Sequence, residues 1–256
     1  MEVGASGIGS SAMRKTLRIG CVLVIGLWLP VLSSAQSGKS SSVVSVRELS
    51  IPPKAVHDFA QGAELLLKND AAKSLPYFQH AVAKFGGYYE AYYEIGVADL
   101  KLFQIADAEK AFRKSIDVSG AQYAPPLLAL GALLAYRGQF SEAEEVARKG
   151  LRLEPDAWSG HYYLGWALFG LNRLEEAEKS AREAVRLKSD SKEALHLLAD
   201  IHSREKDYAA LVNDLDMYLK LDPDSPTGIR ARALRDTAQR LLAESQNTSA
   251  LAQPEP

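Results

Sequence analysis

Five histidines and several tight groups of carboxylates are the residues of this chain whose types could do chemistry. His57, His80, His161, His196 and His202 supply imidazoles able to carry protons or to ligate a divalent metal. A metal pair on one helix needs rings about four residues apart, so that both share a face. The nearest two, His196 and His202, are six apart, and the expectation is single, exposed or half-buried imidazoles with no metal and no cofactor. Glu142, Glu144 and Glu145 form one acidic group, and Glu175, Glu176 and Glu178 another. Each group opens a predicted helix, where negative charge meets the positive end of the helix dipole, so a solvated face is expected rather than a catalytic dyad. No glycine-rich phosphate loop, nucleophile elbow or cysteine pair occurs. An enzyme is not expected.

The chain has 256 residues, 47% hydrophobic, 24% charged and 8% aromatic, the composition of a folded protein. Thirty basic and 32 acidic residues leave a net charge of −2. That balance offers no strong field for nucleic acid or for an anionic membrane. The N-terminus is different in kind. Arg14, Lys15 and Arg18 precede the apolar run from Ile19 to Leu32, which ends at Ser33, Ser34 and Ala35. Basic, apolar and small residues in that order predict an export signal over residues 1–35, cleaved near Ala35, with Met13 as an alternative start. The run holds 14 residues and contains Pro30, whereas a spanning helix needs roughly 20, so the chain is not expected to span a membrane. Cleavage would remove Cys21, the only cysteine, and the exported chain would keep its fold by packing alone. The expected location is periplasmic or extracellular.

Residues 36–54 read as a Ser-rich linker ending at Pro52 and Pro53, and the stretch 43–54 alternates apolar and polar residues in a way suited to lying extended along the following surface. Beyond it the chain repeats. A small residue recurs at Gly62, Gly96, Gly131, Gly165 and Ala199, at spacings of 34, 35, 34 and 34. Twelve residues on come Ser74, Ala108, Ala143, Ala177 and Leu211, and four later Phe78, Phe112, Ala147, Ala181 and Leu215. Pro155 and Pro223 close their runs at equivalent points, because a proline ring cannot continue a helix. This pattern resembles the tetratricopeptide repeat family, whose unit is two antiparallel helices with small residues where they cross. The resemblance implies an all-α fold, a right-handed α-solenoid of about five helical hairpins plus a C-terminal capping helix. The repeats are expected at 55–88, 89–123, 124–157, 158–191 and 192–225, the cap at 226–245, and a disordered tail at 246–256. The extra residue between the second and third repeats is expected as a lengthened turn within 119–123.

In that family the first helices line the concave surface. By phase, Phe59, Tyr93, Val97, Leu128, Tyr162, Trp166, Phe169 and His196 fall on it. The family's peptide clamp uses cations and an amide there to hold a terminal carboxylate, and Phe59 and Ala63 stand in those places instead. The expected function is a non-catalytic scaffold binding a protein or peptide segment in an apolar, aromatic-lined groove. Homo-oligomerisation through the same surface and carriage of an apolar small ligand are the alternatives.

Overall fold

The structure, a computed structural model, describes residues 50–251. The export signal expected over residues 1–35, with Met13 and Cys21, lies outside the described residues, as does the linker up to residue 49. What is described of that linker enters the fold: Pro53 opens the first helix at a position where its missing N–H costs nothing. Ile51 packs beside Phe59 on the buried cluster of Ala55, Ala81, Tyr88 and Ala91.

Eleven helices follow: α1 Pro53–Leu67, α2 Ala71–Lys84, α3 Tyr89–Lys101, α4 Ile105–Val118, α5 Ala124–Tyr136, α6 Phe140–Leu153, α7 Trp158–Gly170, α8 Leu174–Leu187, α9 Lys192–Glu205, α10 Tyr208–Leu221 and α11 Pro226–Leu251. The first ten pair as five hairpins, which stack into a right-handed α-solenoid. First helices α3, α5, α7 and α9 begin at Tyr89, Ala124, Trp158 and Lys192.

Each hairpin turns by the same device. Asn69, Phe103, Gly138, Asn172 and Lys206 have φ between 60° and 75°. The next residue in each case donates its N–H to a carbonyl five residues back, as in Gln104 to Asp99 at 2.8 Å and Arg173 to Leu168 at 2.9 Å. This is the Schellman closure, which satisfies carbonyls left over at a helix end. The turn between α4 and α5 has five residues, Ser119 to Tyr123, where the other inter-hairpin turns have four. Gly120 and Ala121 both take positive φ there, so the extra residue appears as a second tight reversal.

The small-residue positions do their work in two ways. A Cβ on Gly62 or Gly96 would strike the ring of Phe78 at 2.8 Å or of Phe112 at 2.5 Å, so in the first two hairpins a phenyl ring sits in a glycine notch. At Gly165 the first atom met is the backbone carbonyl of Ala177, at 3.2 Å, so there the two backbones themselves approach. Of the acidic residues that open α6 and α8, Glu145, Glu175 and Glu176 are exposed and Glu142, Glu144 and Glu178 half-buried, and they are not idle. Glu142 takes Arg113 at 2.8 Å, Arg173 reaches Glu144 at 2.6 Å, and Arg148 bridges Glu144 and Glu176 at 2.9 and 3.4 Å. These pairs lace α4, α6 and α8 together, although exposed pairs contribute only about 0–1 kcal/mol each.

The last helix buries Ala231 and Ala238 against Leu211, Leu215 and Tyr218, and keeps its arginines outside. It runs to Leu251 rather than stopping near Ser245. No glycine or proline interrupts the chain between those points. No described helix is long and apolar enough to cross a membrane.

Candidate functional site

The lengthened turn places Tyr123 at the entrance of α5, against two tyrosines of α3. Tyr89 and Tyr93 are four residues apart and share a helix face. The ring of Tyr123 lies 5.1 Å from Tyr89 and 5.9 Å from Tyr93, the latter nearly perpendicular at 87°. Beneath them Tyr93 rests on Phe112, 5.9 Å away, and Ser115 of α4 donates to the Tyr89 carbonyl at 2.6 Å. The backbones of first helices α5 and α7 approach each other closely, as do those of α7 and α9, and those of α3 and α5 less so. The three tyrosines stand at that wider seam.

Carboxylates surround the rings. Burial raises the Tyr93 phenol far above its usual range, and Glu94, Tyr123, Glu154 and Tyr163 add to the effect. Tyr123 is raised in the same way, by burial first and then by Glu94 and Glu90. Tyr163 of α7 is pushed up to about 12, by burial and then by Glu193. Glu94 is raised from 4.5 to about 7 by desolvation, with no basic side chain among the described residues offsetting it. Burial raises Glu154 as well. The face is therefore phenolic and acidic rather than simply apolar.

Glu94 gives a pH prediction. Its folded pKa lies above its unfolded one, so the folded chain holds the extra proton between about 4.5 and 7. The stability this contributes is present at low pH and is lost as pH rises through 7. At about 1.4 kcal/mol per unit the rise from 4.5 to about 7 amounts to about 3.5 kcal/mol, which solvent screening of a half-buried carboxylate reduces to on the order of 2 kcal/mol. Glu94→Gln should therefore gain stability over the wild type at about pH 8 and little at about pH 5. Denaturant unfolding at both values checks this, and a variant weaker than wild type at the higher pH would contradict it.

Of the residues expected on the groove, Tyr93 is central to this face. Tyr162 and Trp166 meet at 6.2 Å, and Tyr162 also lies 4.9 Å from Tyr163. With Phe169 they are half-buried and pack on the cluster containing Leu164, Leu168, Leu197 and Ile201. Phe169 is further covered by the Arg204 guanidinium, 4.1 Å from its ring centre. Three of the other four correct the sequence reading, and His196 keeps its exposed place on a first helix. Val97 and Leu128 are buried. Leu128 is wedged where a side chain on Gly150 or Gly160 would strike it, so its exposure is taken by α6 and α7. Phe59 is 5.0 Å from Tyr88 and 5.6 Å from Phe78, which makes it packing between the first two hairpins. His196 is exposed, paired with Asp200 at 3.3 Å and edge-on to Tyr218, apart from the tyrosine seam.

Tyr89, Tyr123, Tyr163, Glu94 and Glu154 were not expected. The signal for Tyr123 was the inserted residue just before it. The histidine reading also needs correcting, because His202 is buried, with Nδ1 at 2.5 Å from Asp214 and Nε2 at 3.1 Å from Glu178. Those hydrogen bonds hold its pKa above the usual histidine range.

Models of the tetratricopeptide repeat match residues 89–122 and 128–194, the hairpins that build this face. The chain carries tetratricopeptide repeats. It is similar to the human protein O-mannosyl-transferase TMTC1, at 27% identity over 119 residues, which is 46% of this chain and 13% of that protein. It thus spans only a small part of that relative's length. Among solved structures it resembles MamA from Desulfovibrio magneticus RS-1, with a TM-score of 0.61 at 19% identity over 69% of this chain and 99% of that one. It also resembles YrrB, described as a TPR protein with an unusual peptide-binding site, with a TM-score of 0.58 at 17% identity over 70% of this chain and 92% of that one. At such identities the likeness is one of fold. Repeats of this kind form a general scaffold for protein–protein interaction.

Proposed function

We propose that this tetratricopeptide-repeat protein is a non-catalytic scaffold that holds a peptide segment bearing a basic side chain against the tyrosine and glutamate seam of α3, α5 and α7. Glu94 carries the reading. A carboxylate raised to about 7 by desolvation, with no cation among the described residues offsetting it, is a group that an incoming ammonium or guanidinium would stabilise. Tyr89, Tyr93 and Tyr123 supply flat faces on which such a cation and its apolar neighbours can lie. The peptide-binding site named for YrrB supports the same use of the fold. The basic-then-apolar leader of the sequence supports a location outside the cytoplasm.

The test is selection from a random peptide library on the full chain, followed by titration of the enriched peptides. Enriched peptides should carry Lys or Arg beside apolar residues. Combined Tyr93→Ala and Tyr123→Ala should weaken them more than about tenfold, as loss of aromatic anchors does, with the helical circular dichroism unchanged. Affinity should also rise as pH passes through about 7, since Glu94 must ionise to meet the cation. Peptides lacking basic residues, or full affinity in the doubly substituted chain, would sink this function.

A further inference from the structure

Apart from the tyrosine seam, the fourth and fifth hairpins bring together a second group of side chains that the scaffold reading leaves unused. His202 and Glu205 are three residues apart near the end of α9 and so share a face. Glu178, in the first half of α8, reaches the same point from the neighbouring hairpin. One ligand atom from each of Glu178, His202 and Glu205 lies within 4.8 Å of the others. Asp214 of α10 approaches His202 from behind, at 2.5 Å from Nδ1.

We propose that Glu178, His202 and Glu205 form a binding site for a divalent transition-metal ion of the zinc class. With Nδ1–H donated to Asp214, the Nε2 proton that faces Glu178 at 3.1 Å is the one a metal ion would displace, taking the Nε2 lone pair in its place. That is the carboxylate–histidine–metal arrangement, in which a carboxylate behind the ring fixes its tautomer and raises its basicity. Metal–nitrogen and metal–oxygen bonds run about 2.0–2.2 Å, so tetrahedral ligands stand roughly 3.3–3.6 Å apart. Closing the present separations asks for movement mainly from Glu205, which is exposed and on a flexible stem. The donor set is one imidazole and two carboxylates. An imidazole ligand favours zinc, cobalt, nickel or iron over calcium and magnesium, which take oxygen. Charge closes as well. Three carboxylates, a neutral imidazole, a divalent ion and Arg182, which already lies 2.6 Å from Glu178, sum to zero. Three protein ligands leave the remaining positions to water.

The site joins α8, α9 and α10, so an ion there would fasten the last two hairpins to each other. No sequence pattern of paired histidines announced it, but His202-x-x-Glu205 on one predicted helix was a legible half of it.

Zinc chloride titrated calorimetrically into the untagged full chain, after chelator treatment, tests the proposal. Cobalt(II) absorption serves as a second readout. One equivalent should bind saturably, raise the melting temperature, and give cobalt bands of a nitrogen and oxygen ligand field. Glu205→Gln is the informative variant, because Glu205 is exposed and its loss should leave the metal-free melting temperature unchanged. It should lower zinc affinity by about tenfold or more, on the scale that even outer-shell losses reach. Glu178→Gln should lower zinc affinity by a similar factor, while also losing the pairings with Arg182 and His202. The proposal is overturned if the wild-type chain shows no saturable binding. It is equally overturned if both glutamine variants bind zinc like the wild type, as they would if the exposed His196 and Asp200 held it.

Discussion

Replacing Phe112 by alanine should lower the stability of the chain by about 3–5 kcal/mol, the usual cost of deleting a fully buried phenyl ring. Phe112 has no exposure at all, and its ring occupies the notch left by Gly96. The more telling measurement is a four-chain cycle with Gly96→Ala. In the wild type, a Cβ at 2.5 Å from the ring overpacks the crossing. That costs about 1–3 kcal/mol, against a gain of roughly 1 kcal/mol in helix propensity. Gly96→Ala should therefore destabilise. In the Phe112→Ala background the obstacle is gone, the propensity gain stands alone, and the same substitution should stabilise by up to about 1 kcal/mol. Urea unfolding of all four chains reads this directly. If Gly96→Ala has the same sign in both backgrounds, the ring-in-notch account of the crossing is wrong. Phe112 also supports Tyr93, so its loss should weaken peptide binding even where the fold survives.

The second large effect is expected at His202. Its side chain is 3% exposed and that of Asp214 is 4% exposed, with 2.5 Å between them. His202→Ala leaves the Asp214 carboxylate buried without its cation, and breaking a buried pair from one side costs about 3–5 kcal/mol. The pair as a whole is a different matter, because burying two charges already opposes their attraction. His202→Leu combined with Asp214→Leu should recover most of the loss, since an apolar pair of similar volume often replaces a buried ion pair at little cost. Denaturant midpoints measured in the presence of a chelator keep any bound metal out of the comparison. A single alanine variant as stable as wild type would show that the carboxylate finds another partner. A double leucine variant no better than the single would show that geometry, not desolvation, governs the site.

These two sites differ in how far the sequence revealed them. The 34-residue recurrence of Gly62, Gly96, Gly131, Gly165 and Ala199 located every crossing, because a close helix approach excludes side chains and so writes itself into composition. The first helices start at 89, 124, 158 and 192 for the same reason, and the inserted residue emerged as a longer turn. The reversal inside each hairpin was only partly legible. Asn69, Gly138 and Asn172 are residues that tolerate positive φ, but Phe103 and Lys206 are not. At those two exposed positions the helix-end closure within the hairpin takes a positive φ that local preference does not favour.

The groove was the least legible. Helical phase names the face a residue starts from, but not whether a neighbouring hairpin will cover it. Leu128 and Val97 have the right phase and are buried, whereas Tyr123 sits in a turn and stands at the seam. Likewise His202 looked solitary because its partners are 12 and 24 residues away, Asp214 on the other helix of its own hairpin and Glu178 on the neighbouring hairpin that only the stack brings alongside. The sequence by itself determined the repeat, its period and its crossings, since these depend on contacts within one hairpin. Only the tertiary structure decided which rings and carboxylates share a surface, because desolvation and side-chain proximity are set by how successive hairpins pack.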